Sequence, residues 1–130
     1  MTVDLTNSRE TIVSGNDNIV IVNHIDGLRG GRSLDVTGYP YSVINAGHVI
    51  IQDGTTKAYK PMPVSDESTY GSLPSDCTYV GVLVASISTK KPFAAIMVRG
   101  TINPKAAPFD FATIQDAFHT AVPLIDFQED

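Results

Sequence analysis

The 130-residue chain has no tryptophan, one cysteine and three histidines, and each scarcity removes a class of function. A single thiol, Cys77, cannot close an intrachain disulfide. His24, His48 and His119 stand far apart in the chain. Apart from the commonplace His24–Asp26 pair, none has a His, Cys or carboxylate at metal-ligand spacing, so no metal site is expected. Without Trp, a stacking platform for sugars would rest on tyrosines 39, 41, 59, 70 and 79, which are scattered. The nine Lys and Arg form no basic stripe, so nucleic acid is not an expected partner. No run reaches the roughly 18 apolar residues of a membrane-spanning helix. Met1-Thr2-Val3-Asp4-Leu5 has neither a basic leader nor a long apolar run. The expectation is a protein made and folded in a cytosol, with no membrane partner.

Catalytic signatures are missing too. There is no G-x-S-x-G elbow, and no cysteine-hydrolase signature surrounds Cys77, which heads an apolar run and reads as a small hydrophobe. Asp66 and Glu67 sit in a Ser-, Thr- and Pro-rich loop and read as solvated charges rather than an acid–base pair. Gly27-Leu28-Arg29-Gly30-Gly31-Arg32 sets two arginines beside glycines. It does not fit the phosphate-loop or dinucleotide patterns, which need a strand before and a helix after, and reads as a loop or a short irregular strand. No catalytic, cofactor-binding or metal-binding residue is therefore assigned, and no enzyme is expected.

What is present is a β pattern in a chain of one-domain size, 42% apolar. Residues 1–17 are polar and weakly patterned and read as a flexible N-terminal arm. Residues 18–130 read as one β-rich domain. Ile19, Val20, Ile21 and Val22 form a β-branched run. Ala46-Gly47 turns into a strand at residues 48–52. Asp53-Gly54 signals a hairpin, with a return over residues 55–60 ended by Pro61 and Pro63. Residues 77–87 are the most apolar run, in which Gly81 marks a bulge or a close approach. Residues 93–103 form another strand, stopped by Pro104. Phe111, Ile114, Ala117, Phe118 and Val122 fall on one helical face, with Asp110 as N-cap and Pro123 as terminator. A short strand follows at residues 124–127. From residue 110 onward there are five acidic side chains and no Lys or Arg, a solvated tail or a docking element for a basic partner.

The order of these segments resembles a known family. Ala46-Gly47-His48-Val49-Ile50-Ile51, the Lys57-Ala58-Tyr59 return, Val80-Gly81-Val82-Leu83, and Val98-Arg99-Gly100-Thr101-Ile102-Asn103 followed by a helix resemble the lambda-type head decoration proteins of tailed phages. They are closer still to the capsid-attached domain of phage head fiber proteins. The stretch from Gly27 to Val36 is similar to the lead-in of head-fiber-like proteins from gut bacterial prophages. The resemblance covers residues 46–127, without the longer C-terminal shaft of a full head fiber. It implies a mainly β domain, β-barrel-like or β-tulip, with one C-terminal helix and minor α+β character. It further implies a homotrimer on the outer capsid surface of a virion, bound to the major capsid protein, after synthesis in a bacterial host cytoplasm. Val3, Leu5, Ile12 and Val13 of the arm are the expected capsid-binding residues. Phe109 and Phe111 are expected at the subunit interface or the edge of the core. The alternative is a carbohydrate-binding or adhesion module on a phage or bacterial surface structure.

Overall fold

The computed structural model describes residues 17–65 and 69–128. Val3, Leu5, Ile12 and Val13 lie outside the described residues, as does the Asp66-Glu67 pair. The described chain opens with a single helical turn, α1 (Asp17–Val20), and continues as β1 (Ile21–Gly27), β2 (Arg32–Ser33), β3 (Val43–Ile44), β4 (Val49–Asp53) and β5 (Tyr59–Pro61). Then come β6 (Cys77–Leu83), β7 (Ile87–Ser88), β8 (Phe93–Ala94), β9 (Ile96–Ile102), the helix α2 (Gln115–Ala121) and β10 (Ile125–Phe127). The fold is mainly β with one sizeable helix near the C-terminus, as expected. The barrel expectation is corrected. The principal sheet runs β1-β9-β6-β4-β5, with β10 added in parallel to β9, and among the described residues it does not close on itself.

Apolar runs without alternation explain the layering. A strand covered on both faces reads as a continuous hydrophobic run. In β4, Val49 and Ile51 enter one core cluster while Ile50 enters a second. Val82 and Leu83 of β6, and Met97 and Ile96 of β9, divide in the same way. The first cluster packs α2, Phe111, Ile114 and Val122 on one face of the sheet. The second packs Leu34, Ile44 and Ala94 on the other, carried by the two-stranded ribbons β2–β8 and β3–β7. The molecule is thus three layers deep.

Several local expectations are refined. The run at residues 19–22 splits between α1 and β1. The hairpin after Asp53 is a longer loop, not a two-residue turn. The Asp53 carboxylate accepts the Thr55 and Thr56 N–H groups, Lys57 takes a positive φ of 62°, and the return strand forms only at Tyr59. Pro61 sits in that edge strand, where its missing N–H breaks no interior ladder. The long strand expected at residues 93–103 is interrupted between β8 and β9. Asp110 is not the helix N-cap. Its carboxylate accepts the Ala112 N–H, a turn follows, and Ile114 is the cap residue. Phe111, Ile114, Phe118 and Val122 are nonetheless buried, whereas Ala117 is exposed.

Gly81 marks both a bulge and a close approach. Val82 and Ile50-paired Gly81 face β4 in register, but the next pair is Ile51–Tyr79, so Val80 is an extra residue. A Cβ on Gly81 would overlap the Met97 carbonyl oxygen of β9. The absent side chain is what lets β6 lie between β4 and β9 there.

Candidate functional site

The N-terminal segment joins the domain at a fixed root. The Asp17 carboxylate accepts the Ser86 N–H at 2.9 Å and the Ser86 hydroxyl at 2.8 Å. The same hydroxyl oxygen accepts the Ala46 N–H at 3.0 Å. Three residues on, Val20 is buried against Gly47, and its carbonyl accepts the Asn103 N–H. Gly47 holds φ 89°, and a Cβ there would collide with Val20. The backbone freedom of glycine therefore admits the root.

Beyond this root the chain turns outward. β1 is an edge strand paired only with β9, and all five of its central residues are exposed. Its register runs Ile21–Ile102, Asn23–Thr101, His24–Gly100, Asp26–Arg99 and Gly27–Met97. Val22 and Ile25 are thus the extra residues of two bulges on β1, and Val98 is an extra residue on β9. A bulge re-aims side chains and ends regular pairing. Here it does so at apolar residues. Ile19, Val22 and Ile25 are 53%, 41% and 56% exposed, at a spacing of three where a plain strand would alternate by two. Edge strands ordinarily carry charges or Pro as protection. This one exposes Val22 and Ile25 beside Asn23, His24 and Asp26, with Ile19 exposed just before it.

The candidate catalytic groups do not converge. Cys77 is buried at the head of β6, opposite Asp53 at the end of β4. His48 lies just before the other end of β4, about 17 Å away along the strand. His24 is on the outlying β1, and His119 leans toward Phe127 from α2. Among the described residues no three His, Cys, Asp or Glu side chains cluster as metal ligands.

His48 is nevertheless unusual. It is fully buried, and its Nε2–H donates to the Met62 carbonyl at 3.0 Å. Nδ1 is then an acceptor with no hydrogen-bond partner among the described residues. The rings of Tyr39, Tyr70 and Phe109 meet the imidazole edge-on at 5.2 to 5.5 Å. Burial pushes the imidazole down to about 4, against the opposing effect of the Met62 hydrogen bond. Tyr70 is buried too. Its hydroxyl accepts the Val49 N–H, and burial pushes its ionisation well up. Burial likewise pushes Tyr39 up to about 12. This cluster is a structural plug, and sequence reading missed it because it treated the histidines and tyrosines as separate residues.

Phe109 and Phe111 belong to that interior. Phe109 packs on His48 and Tyr70, and Phe111 on Tyr70, Phe118 and Phe127. They fall on the core side of the expected seam. Two surface depressions adjoin the plug. One, of about 190 Å³, is lined by Tyr39, Pro61, Pro63, Pro74, Asp35 and Lys60. The other lies between Tyr41, Ser42, Asn45 and Pro108. No family model, no curated protein and no solved structure matches this chain.

Proposed function

We propose that the chain is a structural virion protein that attaches to the outer surface of a phage head and stabilises it, without catalysing a reaction. The exposed aliphatics of α1 and the bulged β1 carry this reading: Ile19, Val22 and Ile25 form a binding edge immediately after the N-terminal segment. The sequence resemblance supplies the phage head as target and the major capsid protein as partner.

In this mechanism, Val3, Leu5, Ile12 and Val13 contact the shell, and the β1 stripe extends that contact onto the body of the domain. Fully burying a Val or Ile side chain is worth about 1.5–3 kcal/mol, so a few such residues hold one copy weakly. Joining copies in a trimer raises the effective concentration of each remaining arm, and weak contacts sum to firm attachment. The root at Asp17 and Ser86 keeps the arm and the stripe in one frame. The test is co-sedimentation with capsids that lack the protein. Attachment should fall at least about tenfold for Val22→Asp/Ile25→Asp and be lost when residues 1–16 are deleted. Undiminished pelleting of both variants would sink the reading.

One observation favours the carbohydrate alternative. Tyr41 is exposed, meets Tyr39 edge-on at 5.8 Å, and shares a depression with Ser42 and Asn45. Aromatic faces beside amides and hydroxyls suit a sugar. A glycan array probed with wild type and Tyr41→Ala separates the two readings, because capsid pelleting should not depend on Tyr41.

A further inference from the structure

The depression of about 190 Å³ beside Tyr39 is built on the buried His48 plug. β5 and the residues just after it form part of its lining. Met62, between the lining residues Pro61 and Pro63, is held by the His48 Nε2–H on its carbonyl. The Pro63 carbonyl accepts the Gly71 N–H at 2.8 Å. The segment from Asp35 to Pro40 supplies the rest of the main wall. It turns back where the Tyr39 N–H donates to the Val36 carbonyl at 3.0 Å, and the Tyr39 ring meets His48 edge-on. Four of the chain's eight prolines, at 40, 61, 63 and 74, line the pocket. Proline rings have no side-chain rotamers to lose when a ligand binds, so this lining is pre-organised.

Strand pairing makes the two charged lining residues neighbours. Leu34 bridges Tyr59 in parallel, and the Asp35 N–H donates to the Tyr59 carbonyl at 2.8 Å. The same register sets Asp35 level with Lys60, across a strand spacing of about 4.8 Å. Among the described residues no ion pair joins the two. The Lys60 ammonium lies 3.8 Å from the Asp53 carboxylate, and the Asp35 carboxylate accepts the Thr37 N–H. The Thr37 side chain and N–H hold the Asp35 carboxyl below its usual value, so it is ionised at neutral pH. An ammonium has three donors and a carboxylate about four acceptor sites. Each group therefore keeps capacity for a further partner.

These features constrain the occupant. The volume is below the roughly 300–1,000 Å³ of sites for drug-sized ligands, so the occupant is small. Proline rings and Tyr39 favour an apolar body. A carboxylate and an ammonium side by side complement one positive and one negative group close together. We propose that this pocket binds a small zwitterion, a free amino acid with an apolar side chain, with its ammonium on Asp35 and its carboxylate on Lys60. The site uses no residue of β1 and does not depend on the capsid reading.

Titration of the full chain with L-leucine, followed by amide nuclear magnetic resonance, tests it. The amides of Thr37, Gly38 and Tyr39 should shift and saturate in the millimolar range. Isocaproate lacks the ammonium and isoamylamine lacks the carboxylate, and each should bind at least about tenfold more weakly than leucine. Asp35→Asn keeps an acceptor for Thr37 and should erase the preference for leucine over isocaproate. Lys60→Met should erase the preference for leucine over isoamylamine. A purely structural effect of either substitution would weaken all three compounds alike. Shifts that do not saturate with leucine, equal binding of the three compounds by the wild type, or preferences unchanged in both variants would overturn the proposal. No capsid enters these measurements, so their outcome stays distinct from that of the attachment test.

Discussion

At the scale of single residues, the buried imidazole has the clearest consequence. His48 binds a proton near pH 6.5 when unfolded and only at about 4 when folded. Between those values the unfolded chain holds more protons, so stability rises with pH there. Acidification from pH 7 to below 4 should therefore cost on the order of 3 kcal/mol of stability. Urea titrations across pH 4–7 should show that slope, and His48→Phe, which keeps a ring among the aromatics but cannot titrate, should flatten it. Asp35 and Asp53 act in a lower window. The Thr37 side chain and N–H hold the Asp35 carboxyl below its usual value, and the Thr56 and Thr55 N–H groups do the same for Asp53. Their contributions are present above about pH 3.8 and fade below it. Gly81→Ala should cost more than about 2 kcal/mol by chemical denaturation, because the new methyl meets a backbone carbonyl that cannot rotate away. The special status of Gly81 was readable from a glycine inside an apolar run. That of His48 was not: an imidazole between Gly47 and Val49 looks the same in sequence whether its partner is water or the Met62 carbonyl.

At the scale of elements, strands with uninterrupted apolar sequence were legible because two-sided burial leaves a compositional trace. The helical face was legible as well, since Phe111, Ile114, Phe118 and Val122 are all buried. The start of the helix was not, because an Asp before an apolar period can serve as an N-cap or close a turn, and Asp110 does the latter. The stripe on β1 was invisible for a stronger reason. Bulges at Val22 and Ile25 exist only relative to the register of β9, and pairing between segments some 80 residues apart leaves no local mark. Two substitutions separate interior from surface apolar residues. Phe118→Ala removes a ring with no exposed surface and should cost about 3–5 kcal/mol. Ile25→Asp, on the exposed bulge, should change stability by less than about 0.5 kcal/mol while impairing attachment. Thermal melts of the two variants check the contrast.

At the scale of the whole molecule, β4, β6 and β9 serve both core clusters at once, so neither face of the sheet has a core of its own to keep. Tyrosine near-ultraviolet dichroism, which reports the aromatic plug, and far-ultraviolet dichroism, which reports the strands, should therefore lose signal at the same denaturant concentration. Separate midpoints would mean that the two layers unfold independently. The mainly β class with a late helix was readable from sequence at this scale. The open sheet was not, since closure depends on whether β1 and β5 meet in space. The clasp between Asp17 and Ser86 has a mechanical meaning as well. Any tension arriving along the chain from ahead of Asp17 reaches the sheet through two short hydrogen bonds and the Val20 wedge before it can peel β1 from β9. The pulling load is shared with the loop after β6, 69 residues away in sequence, so a tug on the tether is resisted by the middle of the domain rather than by its outermost strand.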